Sequence, residues 1–300
     1  MPARRRAALG LQGALCSPVY LALAARHGLP GLDLRWPCAR LALRAVLRHP
    51  TSIQPSLLYR VLFRPMESTR YFEFAFMWRA LRDVRTKTYL DISSPRLFPL
   101  LLLQDKIDAR ATLLNPDTDD LTDTSNLAAA LGLRDRCKFE SAPIESAQLA
   151  KEHFDVVTSM SVLEHIEDDT AAVRRIWELV KPGGRLLLSM PCAAVAERQL
   201  VNVSIYGFLR PDAEGFFFHQ YLYDEHRLRE RIFSVTGSPA RFEVYGEKMP
   251  GTHRVAYERK WTDGTYPFWK EPWHMAVQFQ RYASIASLPG EGVVLLEFVK

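Results

Sequence analysis

From residue 86 onward, short apolar runs alternate with amphipathic stretches in the order strand, helix, strand. Thr88-Tyr89-Leu90-Asp91-Ile92, Ala111-Thr112-Leu113-Leu114, Cys137-Lys138-Phe139-Glu140, Phe154-Asp155-Val156-Val157-Thr158 and Arg185-Leu186-Leu187-Leu188-Ser189 read as five buried strands. An apolar run over 97–103 follows the first. Helices are expected over about 120–131, closed by Gly132, and over 169–180, ending in Lys181-Pro182-Gly183-Gly184. Apolar strands alternating with helices imply a parallel sheet covered on both faces. Its crossovers are right-handed and its ligands bind beyond the carboxyl ends of the strands. Residues 91–96, 115–117, 141–142 and 159–165 therefore share one rim.

Upstream the pattern is helical. Ser17 as N-cap, Pro18 at the first helical position and Gly28 just past the end predict a short helix over about 18–27. Arg4-Arg5-Arg6 before an uncharged run over 7–25 imitates a secretory signal. Gly10, Gln12, Gly13 and the Ser17-Pro18 pair interrupt that run, so a helix of the mature protein is expected, and proline argues against a membrane span. Pro37 opens a segment over 37–48 that carries Arg40, Arg44 and Arg48 on one face and stops at Pro50. Another covers 55–63 before Pro65. The aromatic stretch 66–82 (Tyr71, Phe72, Phe74, Phe76, Trp78) reads as a helix packed against the main domain.

Composition adds two constraints. Of 300 residues, 48% are hydrophobic and 24% charged, enough for a large α/β core and incompatible with a disordered or repetitive chain. Cys16, Cys38, Cys137 and Cys192 lie far apart, which excludes a zinc module or disulfide scaffold, predicts no metal site and suits a reduced, cytoplasmic compartment. The net charge of +5 is uneven: residues 1–64 hold ten arginines, no lysine and one acid, Asp33, giving +9, and the remainder sums to −4. A basic front suits an anionic membrane surface, an anionic substrate or nucleic acid. No nucleic-acid motif accompanies it, so no nucleic-acid partner is expected and peripheral contact with an anionic membrane through residues 1–64 is.

The ordered features of residues 88–192 resemble a class I, Rossmann-like S-adenosylmethionine-dependent methyltransferase. They are an acid-ended first strand, a polar end to the second, and Ser141-Ala142 after the third. Then come Phe154-Asp155-Val156-Val157 leading to Val162-Leu163-Glu164-His165, and Lys181-Pro182-Gly183-Gly184 before an apolar strand. The resemblance implies a doubly wound, mostly parallel seven-stranded sheet with an antiparallel edge strand, residues 241–245 and 293–298 supplying the last two strands. On this reading residues 1–83 form a basic helical extension or cap and 84–300 the methyltransferase-like domain. Its core is 86–192, with substrate-region insertions at 193–224 and 246–292.

The resemblance also implies roles. Asp91 matches the acid near the methionine end of the cofactor. The family's glycine-rich turn follows, but its three glycine places hold Ser93, Pro95 and Leu97, with Ser94 between. Asn115, backed by Asp117, stands where an acid accepts the ribose hydroxyls. Ser141 and Ala142 stand beside the adenine place, and Met160 and Ser161 would flank the adenine and reach the methionine end. A methyl acceptor that must lose a proton needs a base. His165 and His219 are the candidates, with His226 an alternative to His219; a structural role for each stays open. The implied activity is methyl transfer to an oxygen or nitrogen of a small molecule, lipid- or sugar-linked acceptors included. The alternative, motivated by the lost glycines, is a non-catalytic binding or assembly subunit. A nicotinamide enzyme is disfavoured because no GxGxxG follows the first strand.

Overall fold

The computed structural model describes residues 3–48, 55–203, 210–262 and 266–300, and the side chains of all of these but 3–7 and 261. The stop at Pro50, the arginines at 4–6 as side chains and the ring of Trp261 lie outside the described residues. Four helices come first: α1 (Ala3–Arg26), α2 (Arg35–Arg48), α3 (Pro55–Phe63) and α4 (Arg70–Leu81). There follow β1 (Thr88–Ile92), α5 (Leu97–Asp105), β2 (Arg110–Leu114), α6 (Thr118–Ala130), β3 (Cys137–Glu140), β4 (Phe154–Met160), α7 (Asp169–Leu179) and β5 (Val180–Cys192). A hairpin of β6 (Glu197–Val201) and β7 (Phe217–Leu222) leads into α8 (Glu225–Leu228) and α9 (Ser234–Thr236). The chain ends with β8 (Arg241–Glu247), α10 (Thr252–Thr262), α11 (Glu271–Gln278), β9 (Phe279–Tyr282) and β10 (Gly292–Val299).

The expected short helix over 18–27 is instead the last third of α1, which runs through Pro18. Ser17 does not cap: its hydroxyl donates to Gly13 O, 2.6 Å away, in the preceding turn. The helix survives its proline because it is docked on neighbours: the Tyr20 and Trp273 rings meet at 5.9 Å. Gly28, at φ +69°, ends it as expected.

The main sheet has the order β3-β2-β1-β4-β5-β10-β8-β9. Strands β1 to β5 are parallel, and β10 runs antiparallel between β5 and β8. All seven expected strands are present, and β9 adds an eighth outside β8. Residues 217–222 pair with β6 in a separate two-stranded sheet. Strand β5 begins earlier than expected and includes Lys181-Pro182-Gly183-Gly184. Gly184 is required there, since a Cβ would sit 2.9 Å from Lys181 O and 3.1 Å from Asp155 O.

Alternation sorts each strand between two cores. Tyr89, Leu113, Val156, Leu187 and Leu295 face α2, α4, α5 and α6 in one apolar cluster with Cys38, Leu41, Tyr71 and Phe74. Leu90, Val157, Leu186, Val294 and Phe298 face α7 and the segment from α8 to α9. The N-terminal helices thus share a core with the sheet and cover one of its faces.

Candidate active site

At the end of β1 the turn keeps a left-handed backbone without its glycine: Ser93 has φ +50°, a conformation that costs a residue with a Cβ about 1 kcal/mol. Its N–H donates to Leu114 O at 2.8 Å, which ties the turn to β2. Asp91 is buried. Its Oδ1 accepts from the Tyr89 hydroxyl (3.0 Å) and Thr158 Oγ1 (2.7 Å), and its Oδ2 from the Ser94 N–H (3.1 Å). Burial raises its carboxyl to about 6 against the pull of these donors. Ser94 Oγ accepts from the Met160 N–H at 3.2 Å and so joins the ends of β1 and β4. Leu97, at the third glycine place, is core and opens α5.

The end of β2 is a polar knot. Asn115 Nδ2 donates to Asp120 Oδ2 at 3.0 Å, and its Oδ1 accepts the Asp117 N–H at 2.9 Å. Asp117 Oδ1 caps α6 by accepting the N–H groups of Asp119 and Asp120. Arg96, from the turn, pairs with Asp120 and with Asp123, 3.1 Å from the latter. Ser141 is exposed and Ala142 half-buried, just past β3.

The end of β4 carries the chemistry that stands closest together. Ser161, left-handed at φ +48°, donates its hydroxyl to Glu73 Oε1 at 2.6 Å. Ser189 Oγ, from β5, donates to the same oxygen at 2.7 Å. Glu73 lies on α4, fully buried, with its other oxygen 2.7 Å from Arg70 Nη1. Glu164 is also buried, and its Oε2 has no hydrogen-bond partner among the described residues. Burial raises its carboxyl to about 8, so it keeps its proton at neutral pH. The adjacent His165 is pushed the other way, to about 4, again mainly by burial. His165 Nδ1 stands 2.8 Å from His219 O, and a carbonyl only accepts, so Nδ1 bears the proton and Nε2 the lone pair. Nε2 is 3.8 Å from Glu164 Oε1.

His165 and His219, separated by a long stretch of sequence, have ring centroids 5.5 Å apart. His226 is an exposed residue of α8 paired with Glu230. A cleft of about 260 Å³ opens among Glu167, two residues past His165, and Arg198, Arg210, Asp212, Phe216 and Phe218, the last preceding His219 in the chain. Arg198 pairs with Glu167 at 2.7 Å and lies over the Phe218 ring at 5.3 Å. Among the described residues, no group of three His, Cys, Asp or Glu is placed to hold a metal ion.

Glu73 and Arg70 escaped the sequence reading. The signal was present: an acid set among Tyr71, Phe72, Phe74 and Phe76 on a helix packed into the core is drawn inside with them, and a buried acid needs donors.

The raised Glu164 carboxyl gives a pH signature. A group that binds its proton more tightly when folded stabilises fully below its ordinary value of 4.5 and loses that contribution as pH climbs through about 8. His165 acts oppositely, its contribution being present above 6.5 and lost as pH falls through about 4. Between pH 6.5 and 8 the Glu164 trend therefore stands apart from that of His165. Thermal melts across that window are expected to show a fall in wild-type stability that Glu164→Gln lacks.

Comparison with known proteins adds the class. Residues 90–188 match the family described as "Methyltransferase domain". A ubiquinone biosynthesis O-methyltransferase of Psychrobacter cryohalolentis is 37% identical over 84 residues, 27% of this chain and 32% of that one. Its namesake in Yersinia pestis is 49% identical over 43 residues, 14% of this chain and 18% of the relative. The chain thus spans about a third or less of the curated relatives it matches. Among solved structures, that of MccD protein covers 78% of this chain and 99% of its own at 12% identity and a TM-score of 0.52, a likeness of fold alone. Residues 90–188 thus resemble a methyltransferase domain of the class I, Rossmann-like kind, for which S-adenosylmethionine is the implied cofactor.

The rim fits such a ligand in its donor and acceptor types. The left-handed turn at Ser93 keeps the backbone course that a close-approaching ligand needs. Ser159 Oγ and Glu164 Oε2, both buried at the end of β4 or just beyond it, have no partner among the described residues. Such orphaned groups are what a polar ligand satisfies.

Proposed function

We propose that this chain transfers a methyl group from S-adenosylmethionine to an oxygen or nitrogen of a small-molecule acceptor, lipid- or sugar-linked acceptors included. The observation that carries this reading is the convergence of Asp91, Ser161, Glu164 and His165 on the carboxyl ends of β1 and β4 within a methyltransferase domain. When bound, the cofactor supplies a methyl group already activated by its sulfonium. The protein's part is then to hold an acceptor in line and to keep water away.

The Ser93-Ser94 turn and Asp91 would face the methionine end, together with Ser161, whose hydroxyl Glu73 orients. Asn115 and Asp117 would meet the ribose hydroxyls. Ser141, Ala142 and Met160 would border the adenine. His165 Nε2, with its lone pair set by the bond at Nδ1, would take a proton from an acceptor hydroxyl or ammonium. Burial lowers its pKa to about 4, so the imidazole is neutral at pH 7 and a weak base, one that takes the proton only as the acceptor's bond to the methyl carbon forms. The cleft beside His219 would admit the acceptor, with ring faces at Phe216 and Phe218 and guanidinium groups at Arg198 and Arg210.

A second reading, a binding subunit without catalysis, draws on the Asp91 carboxyl being satisfied by internal donors and on the Arg96–Asp120 pair at the ribose place. Calorimetric titration separates the two. Saturable binding of S-adenosylmethionine and of its demethylated product is expected, and absence of heat at millimolar ligand counts against methyl transfer. In a binding-competent protein, His165→Gln is expected to cut kcat by on the order of 10²-fold or more for a hydroxyl acceptor, with cofactor affinity within about twofold. An unchanged pH–rate profile in that variant would remove His165 from the base role.

A further inference from the structure

Helix α1 wears its side chains inside out. Gly13, Ser17 and Ala24 face the protein and are buried. Gly13 lies so close to Trp269 and Tyr59 that a Cβ would meet both at 3.1 Å. Positions two residues away on a helix point about 200° around the axis, and there stand Leu11, Leu15 and Val19, at 65%, 71% and 59% exposure. Small residues therefore pack inward while a ridge of large apolar ones faces out, the reverse of what water selects. Helix α2 repeats the theme: Trp36 and Leu47 are 63% and 82% exposed, Leu43 is exposed between them, and Arg40, Arg44 and Arg48 are interleaved with them.

We propose that α1 and α2 form a docking surface for an anionic lipid bilayer, on which the enzyme lies peripherally. Residues 8–26 are long and apolar enough to cross a membrane, but the inward face of α1 is engaged with α11 and its flank, so the helix lies on the protein and offers only its outer ridge. Charge selects the occupant. Residues 1–64 carry ten arginines against Asp33 alone, which attracts phosphate headgroups. A symmetric dimer through the same face would set Arg40, Arg44 and Arg48 of α2 against their copies. Exposed Trp36 beside Arg40, whose guanidinium is 5.8 Å from the ring, combines an amphipathic ring and a cation suited to the boundary between headgroups and acyl chains.

Sedimentation of the full chain with vesicles tests this. Binding is expected to phosphatidylcholine vesicles containing phosphatidylglycerol, weakening with salt, and to be at least about tenfold weaker with phosphatidylcholine alone. The triple variant Leu11→Gln, Leu15→Gln, Val19→Gln should lose about tenfold or more in affinity for the anionic vesicles. Because all three side chains face outward, it should keep the wild-type circular dichroism and melting temperature. Arg40→Gln with Arg44→Gln should weaken binding severalfold and flatten its salt dependence. Wild-type protein that ignores anionic vesicles, or a folded triple variant that binds them as the wild type does, overturns the proposal. So does light scattering that finds a wild-type dimer which the triple variant splits into monomers, since a second copy would then cover the ridge.

Discussion

Asp169→Ala is expected to lower the unfolding free energy by about 3–5 kcal/mol, the largest stability effect of any single change to an ionisable residue here. Asp169 is fully buried at the first turn of α7. Its Oδ2 accepts from the Tyr223 hydroxyl and from Arg227 Nη2, both at 2.8 Å, and its Oδ1 from Arg231 Nε at 2.7 Å. Removing the carboxyl strands a buried hydroxyl and the Arg227 guanidinium and leaves Arg231 with the exposed Asp168, 3.4 Å away; all three partners come from the segment that follows β7. Urea or thermal denaturation measures the loss. The neighbour Asp168 is the control: it is largely exposed and caps α7 through the Ala171 N–H. Its alanine variant should cost only about 1 kcal/mol. Equal losses at the two positions would show that the network contributes nothing beyond an ordinary helix cap.

The largest expected effect on cofactor binding lies at Glu73. Its Oε1 holds the hydroxyls of Ser161 and Ser189, and its Oε2 meets Arg70. Glu73→Ala leaves both serines and the guanidinium without their acceptor and frees Ser161 from a left-handed conformation that the contact helps to hold. If the rim binds the cofactor as proposed, KM for S-adenosylmethionine should rise by on the order of tenfold or more, with about 2–4 kcal/mol of stability lost. Glu73→Gln can still accept from one serine and should recover part of both. A purely structural role would move the stability and leave the ratio of cofactor KM to acceptor KM as it was.

How far these features were legible in the sequence depended on the range of the interactions behind them. Strands such as Leu186-Leu187-Leu188 and the paired breakers around 182–184 declare themselves locally, since burial on both faces demands unbroken apolar runs. The Asp91 end of β1 and the Glu164-His165 segment past β4 were readable for the same reason, with the resemblance to a known class fixing their order. Helix α1 misled because its local cues, Ser17 then Pro18, fit a helix start, and only docking against Trp269 and Trp273 carries the helix through them. The meeting of His165 with His219, and of Glu73 with Ser161, joins elements far apart in the chain. Periodicity holds no information about such pairs. For Asp117 the residue type was legible, but its capping of α6 through Oδ1 was not, since that depends on where the helix begins.

The position of β10 bears on how the sheet comes together. Among the described residues, strands β8 and β9 reach the rest of the main sheet only through β10, which inserts beside β5. Until β10 is placed, β5 presents an open edge and Val294, Leu296 and Phe298 have no seat. Closure of this half of the sheet must then wait for one strand, and a folding intermediate that lacks it exposes an edge on which a second chain could pair.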